Sequence, residues 1–172
     1  TIGNQGVGKG VLWEIMMNLH GEDNCQKLNN DIIRGKFNGS MENKTMIYLD
    51  EIYIKNIDQE NKVKDFANGR IAVEAKGKEA KMMNNHANIY VSSNEMDAIR
   101  LSADDRRFSV VELTDKKLIR SFKDYEIAMF LEERNIEKLA HYLYHRDVDK
   151  NKMLNVFITE RTQRIREYSL NE

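Results

Sequence analysis

Apolar residues along this chain fall into short runs and helical patterns that alternate over its first two thirds. Residues 11–19 place apolar side chains near a 3.6-residue period and are followed by Gly21, which predicts a helix and its end. Residues 46–49 form an uninterrupted apolar run that stops at Asp50 and Glu51. A short run of this kind between polar residues is typical of a buried parallel strand.

Three more segments have the pattern of strands, namely residues 68–82, 87–94 and 106–113. The first alternates apolar and polar side chains and turns at Gly77, which predicts a β-hairpin. From Lys116 onward the apolar positions recur at helical spacing. The order of elements predicts an α/β fold with a parallel sheet flanked by helices and a C-terminal helical subdomain.

The change of pattern at Lys116 divides the chain in two. We expect a core over residues 1–115 and a helical subdomain over residues 116–172 that continues beyond the chain. Thr1 and Ile2 look like the end of a strand that leads into the glycine-rich segment after them. We therefore expect this chain to be part of a longer protein.

Composition narrows the class of protein. The 172 residues are 41% hydrophobic and 32% charged, which is typical of a folded globular domain. The net charge is −1, so contact with nucleic acid would need a local basic patch. The one cysteine, Cys25, fits a reducing compartment, and no apolar run approaches the roughly 20 residues that cross a membrane. We expect a cytoplasmic protein that does not bind membranes.

The segment "GNQGVGKG" carries the first candidate chemistry. Its residues are Gly3, Asn4, Gln5, Gly6, Val7, Gly8, Lys9 and Gly10. A glycine loop at the start of a helix points backbone N–H groups at an anion, and Lys9 would add a charge for the outer phosphates. The phosphate-binding pattern ends in Ser or Thr, but this chain has Gly10 there. The alternative is a glycine turn beside a surface lysine.

Two carboxylates follow the apolar strand at residues 46–49. Open α/β sheets hold ligands at the carboxyl ends of their strands, so Asp50 would hold Mg²⁺ and Glu51 would polarise an attacking water. The alternative is an ordinary acidic pair at the end of a strand. The glycine loop and the acidic strand in this order favour a nucleotide site.

Asn94, Arg106 and Arg107 are weaker candidates. Asn94 ends the strand predicted at 87–94 and could reach a phosphate or the water, although asparagine is also a common turn residue. Either arginine could end a strand or act as an arginine finger on a neighbouring subunit.

Together, the segments "GNQGVGKG", "MIYLDE", "NGRIAVEAKGK", "NIYVSSN" and "DDRRF" resemble the superfamily-3 helicases, and in particular the helicase domain of phage and mobile-element primase–helicase proteins. The resemblance implies an AAA+-like P-loop ATPase that works as a ring, commonly a hexamer, with ATP and Mg²⁺ between subunits. It also implies single-stranded DNA as a partner, contacted by Lys76 and Lys78, and an upstream primase or polymerase region. It assigns Asn94 as the sensor and Arg106 or Arg107 as the finger.

Two alternatives remain. A nucleotide-binding assembly module would bind ATP with little hydrolysis, which Gly10 favours and Glu51 opposes. A related ATPase acting on protein would not need the lysines of the hairpin, Lys76 and Lys78. The sequence leaves open the direction of translocation, the ring size and the preference for DNA or RNA.

Overall fold

The computed structural model of the chain describes residues 1–35, 38–54, 56–95, 98, 101, 107–153, 155 and 157–170. Within them the strands are β1 (Cys25–Leu28), β2 (Met46–Leu49), β3 (Arg70–Val73), β4 (Lys81–Asn84) and β5 (Asn88–Val91). The helices are α1 (Lys9–His20), α2 (Asn30–Arg34), α3 (Ile57–Phe66), α4 (Leu118–Ser121), α5 (Asp124–Phe130), α6 (Glu133–Tyr144), α7 (Lys150–Met153) and α8 (Glu160–Leu170). In this part of the chain, no helix is long and apolar enough to span a bilayer.

A parallel sheet with the order β1-β2-β5 organises the fold. Strand β2 is central and fully buried because every residue of "MIYL" is apolar or aromatic. Ile2 extends the sheet beyond β5 through parallel bridges to Ser93 and Glu112. The predicted mixed α/β fold with a parallel sheet and helices is confirmed.

The hairpin, the helix after the glycines and the strand before Asp50 form as predicted. Strand β3 pairs antiparallel with β4, and Gly77 turns between them with φ 77°. The strand predicted over residues 106–113 is wrong for its described part, 107–113, which forms only the bridge at Glu112. Val110 of this segment contacts the C-terminal part of the chain, because the hydroxyl of Thr159 donates to Val110 O at 2.7 Å.

Two clusters form the core. The larger one centres on Ile47 and Leu49 of β2, and the smaller one contains Trp13 of α1 with Tyr48 of β2. Side chains therefore alternate between the faces of β2, as the period of a strand requires.

Helix α8, from the predicted helical subdomain, packs into the larger cluster through Ile165. Thr162 of the same helix is fully buried, and Arg161 pairs with Glu112 at 3.3 Å. The division at residue 115 stays a prediction.

Candidate functional site

The glycine loop has a backbone that needs glycine. Gly6 and Gly8 have φ values of 86° and 101°, in the left-handed region that side chains disfavour. Gly8 precedes α1 and has no side chain to cap the helix, so the first N–H groups of α1 remain open toward the loop. This arrangement can accept an anion.

Lys9 joins the glycine loop to the end of β5. Its ammonium donates to Gly3 O at 2.5 Å, to Asn4 O at 3.0 Å and to Asn94 Oδ1 at 2.6 Å. Burial lowers the pKa of Lys9, and the charges of Glu51 and Asp50 act against this shift. The structure thus brings together the lysine and the asparagine that the sequence singled out.

Asp50 is held by three side chains. Its Oδ1 accepts hydrogen bonds from the Tyr48 hydroxyl at 2.5 Å and from Ser92 Oγ at 3.0 Å. Its Oδ2 pairs with the Lys27 ammonium at 2.6 Å. Burial raises the pKa of Asp50, but the hydrogen bonds from Lys27, Tyr48 and Ser92 together lower it by more than burial raises it. The pKa of Asp50 therefore lies below its ordinary value. Burial, followed by the bond to Asp50, raises the pKa of Tyr48 and keeps its hydroxyl protonated.

Glu51 is exposed and has an unusual backbone, with φ 49°. The amide of Asn30 fixes this turn, donating to Glu51 O at 2.8 Å and accepting from Tyr53 N at 3.1 Å. Asn94 Nδ2 lies 3.4 Å from Glu51 Oε1. Asn94 therefore contacts both Lys9 and Glu51.

A cavity of about 510 Å³ joins these groups. Its polar side contains the glycine loop, Lys9, Asp50, Glu51 and Asn94. Residues at the start of α4 and in α5 also line it, and Leu118 N, at the start of α4, donates to Gly6 O at 2.8 Å. The cavity is lined by Gln5, Gly6, Gly8, Lys9, Gly10, Val11, Tyr48, Asp50, Glu51, Asn94, Lys117, Leu118, Ile119 and Ile127.

The residues at this cavity fit a magnesium–nucleotide complex better than a metal held by protein alone. Among the described residues no group of three His, Cys, Asp or Glu side chains could hold a metal. Mg²⁺ in nucleotide sites needs one or two carboxylates, with phosphates and waters as its other ligands. Asp50 in a cavity beside a glycine loop fits that requirement.

Lys76 and Lys78 lie at the exposed tip of the hairpin, where Lys78 N donates to Ala75 O at 3.0 Å. Neither lysine lines the glycine-loop cavity. The end of β3 next to the turn is fixed by Asn38, whose side chain bonds both Ala72 O and Glu74 N.

Arg106 lies outside the described residues. Arg107 is exposed and lines a different cavity, of about 360 Å³, with Tyr90 and Phe108. It is not among the residues around the glycine-loop cavity of its own chain. The role of either arginine stays a prediction.

Sequence reasoning missed four residues that hold the candidate site: Lys27, Asn30, Tyr48 and Ser92. Tyr48 stands two positions before Asp50, on the same face of β2, and this spacing was the available signal. Of the other three, Lys27 acts from the neighbouring strand β1, Ser92 from the end of the neighbouring strand β5, and Asn30 from the start of α2.

The geometry defines an α/β domain with a glycine loop and an acidic strand end facing one cavity. Residues 1–107 match the model of a family described as a family of unknown function, DUF5906, and the chain belongs to this family. The DNA primase-polymerase of Nitratiruptor phage NrS-1 is 24% identical over 170 residues, which are 95% of this chain and 23% of that relative.

Solved structures show the same fold. The apo C-terminal region of NrS-1 matches with a TM-score of 0.83 and 24% identity, over 98% of this chain and 40% of that one. A JCV helicase bound to a small molecule matches with a TM-score of 0.54 and 16% identity, over 99% of this chain and 49% of that one. These comparisons confirm the resemblance to the helicase domain of phage primase–helicase proteins.

Proposed function

We propose that this chain is the ATP-driven helicase domain of a phage or mobile-element replication protein. The proposal is carried by one observation: Lys9, Asp50, Glu51 and Asn94 face a single cavity beside the glycine loop, at the carboxyl ends of parallel strands. Open α/β sheets bind ligands at this edge. The likeness to the NrS-1 C-terminal region supports the same assignment.

In this proposal the chain is an AAA+-like P-loop ATPase. The N–H groups of the glycine loop and the Lys9 ammonium bind the phosphates of ATP, for which Lys9 leaves its contact with Asn94. Asp50 holds Mg²⁺, which supplies positive charge against the phosphate oxygens. Glu51 accepts the proton of the attacking water, and Asn94 orients Glu51 through its amide.

The partner in this proposal is single-stranded DNA. Lys76 and Lys78 project from an anchored hairpin and would contact the phosphate backbone, which gives binding with little sequence preference. We further propose a ring, hexameric by resemblance, in which Arg106 or Arg107 reaches the cavity of the neighbouring subunit. An upstream primase or polymerase region would complete the polypeptide.

Gly10 favours a second candidate, a nucleotide-binding assembly module. Without a hydroxyl at this position the glycine loop offers one ligand fewer to Mg²⁺. Such a module would bind ATP and oligomerise with little hydrolysis.

The deciding experiment is steady-state ATP hydrolysis with and without single-stranded DNA. We expect turnover that rises with DNA and falls by about 100-fold or more in Glu51→Gln, since general-base catalysis contributes at least that much. Glu137→Gln, an exposed glutamate on α6, is the matched control. ATP binding without turnover, unchanged by DNA or by Glu51→Gln, would favour the assembly module.

The DNA partner has its own test. Two phosphate contacts give a slope of about −1.4 in the logarithm of single-strand affinity against the logarithm of salt concentration. Lys76→Ala/Lys78→Ala should remove that part of the slope, and Lys138→Ala/Lys152→Ala, at two exposed lysines on α6 and α7, should not. Equal slopes in the two double variants would refute the role of the hairpin.

A further inference from the structure

Position 10 of the glycine loop lacks the side chain that nucleotide sites of this kind use. The Ser or Thr hydroxyl there ordinarily binds Mg²⁺ together with the aspartate at the end of the strand. A Cβ built on Gly10 meets no atom within 4 Å, so no neighbouring group has moved into that position. If the site binds Mg²⁺, the cation depends more strongly on Asp50, and the groups that position Asp50 become important.

Two hydroxyls from the sheet already contact Asp50. The Tyr48 hydroxyl donates to Asp50 Oδ1 at 2.5 Å, and Ser92 Oγ donates to the same oxygen at 3.0 Å. The oxygens of the two hydroxyls lie 2.7 Å apart, side by side on the same carboxylate oxygen. Tyr48 and Ser92 are 1% and 0% exposed, so neither can turn toward bulk water.

Aromatic contacts fix the ring of Tyr48. Trp13 stacks on it with ring centroids 4.8 Å apart, and Tyr90 lies against it at 5.1 Å. Trp13 belongs to α1, the helix that begins in the glycine loop. Tyr48, which carries one of the two hydroxyls, is thus in direct contact with the helix behind the loop.

The other oxygen of Asp50 has a different environment. Its Oδ2 pairs with Lys27, whose side chain is 56% exposed. A half-exposed ammonium can be displaced by a divalent cation at small cost, since exposed ion pairs are weak. Asp50 therefore has one oxygen fixed by buried hydroxyls and one that faces an exchangeable partner.

We propose that Tyr48 and Ser92 are positioning residues for Asp50, the carboxylate on which the divalent cation depends in the absence of a hydroxyl at position 10. They fix Oδ1 and leave Oδ2 as the oxygen for the divalent cation. This inference rests on the proposed function, because it presumes that the cavity takes Mg²⁺ with ATP.

The test measures the dependence of nucleotide affinity on metal. The affinity of a non-hydrolysable ATP analogue is measured with saturating Mg²⁺ and with EDTA, by calorimetry and by the fluorescence of Trp13, which is the only tryptophan of the chain. We define the metal ratio as the dissociation constant in EDTA divided by the dissociation constant with Mg²⁺. This ratio should fall about tenfold in Tyr48→Phe, since a hydrogen bond to a charged group stabilises by about that factor or more. The ring of phenylalanine keeps the stack on Trp13.

Tyr90→Phe is the matched control, because the Tyr90 hydroxyl bonds Thr1 Oγ1 at 2.8 Å and not Asp50. Its metal ratio should equal that of the unmodified chain. Ser92→Ala provides a second route to the same loss if Tyr48→Phe folds poorly, which urea unfolding would reveal.

Rescue separates positioning from general structural damage. Gly10→Ser places a hydroxyl in open space, and in the Tyr48→Phe background it should restore most of the metal ratio. An unchanged ratio in both Tyr48→Phe and Ser92→Ala, while the unmodified chain binds the analogue with metal, overturns this inference alone. If the unmodified chain fails to bind the analogue at all, the proposed function is overturned with it.

Discussion

Asn38 anchors the hairpin, and its replacement by alanine should loosen the hairpin without changing either lysine at the tip. The side chain of Asn38 is 7% exposed. Its Nδ2 donates to Ala72 O at 2.9 Å, and its Oδ1 accepts from Glu74 N at 2.8 Å. Asn38→Ala removes both hydrogen bonds.

The size of the effect follows from these two bonds. A hydrogen bond stabilises a folded protein by about 1 kcal/mol net, and a donor left without a partner costs more. Ala72 is exposed, so water can replace one partner, whereas Glu74 is only partly exposed. We therefore expect Asn38→Ala to lower the free energy of unfolding by about 2–3 kcal/mol, and the melting temperature of a chain of this size by roughly 4–12 °C.

Urea unfolding and single-strand binding together test this prediction. Asn18→Ala is the matched control, because the exposed amide of Asn18 makes one bond within its own helix, to Glu14 O at 2.8 Å; its change should stay within about 0.5 kcal/mol. In Asn38→Ala the single-strand affinity should fall while its salt slope stays, since the number of lysines is unchanged. Equal stability of the two variants would refute the anchoring role.

Three further predictions concern the loop, the acidic strand and the core. Gly8→Ala should destabilise the chain by about 1–2 kcal/mol and weaken binding of an ATP analogue, because φ is 101° and the new Cβ would lie 3.2 Å from Leu118; calorimetry and thermal unfolding measure both. Lys27→Met should raise the pKa of Asp50 by removing its ion pair. A carboxyl whose pKa is depressed by folding stabilises the chain above its unfolded pKa and loses this effect as pH falls through the folded pKa. Urea unfolding should therefore show a smaller loss of stability at acid pH in the variant, and this loss should be complete at a higher pH than in the unmodified chain. Ile165→Ala, at 4% exposure, should lower the free energy of unfolding by about 2–5 kcal/mol in the same assay, and a loss under 1 kcal/mol would contradict the place of α8 in the core.

The elements that sequence predicted share strong local signals. Strand β2 is an unbroken apolar run, and the hairpin combines alternation with a glycine at its turn. Strand β1, "CQKL", has only two buried residues in four, and α3 buries Val63 and Phe66 in a mostly polar sequence. These two elements were missed because the sheet and the core, rather than local pattern, determine them.

In the candidate site, too, residues with a local sequence signal could be predicted, and residues placed by the assembled sheet could not. Lys9, Asp50, Glu51 and Asn94 could be predicted because each stands at a fixed place in a loop or strand end. Ser92 could not, because its contact with Asp50 comes from the register of parallel strands, which pairs Leu49 with Val91 and so sets the next residues side by side. Register is a property of the assembled sheet.

That register also bears on the choice between a motor and an assembly module. Gly10 removes a ligand of Mg²⁺, and this counts most strongly against hydrolysis if the remaining ligand, Asp50, is poorly held. Tyr48 and Ser92 reach the same carboxylate from β2 and from the end of β5, with a buried geometry that a flexible loop side chain would not have. The loss of the loop hydroxyl is therefore weaker support for the assembly module than the sequence alone implies. Retention of Glu51 in a fixed turn, with Asn30 and Asn94 on either side of it, remains the stronger observation and favours the motor.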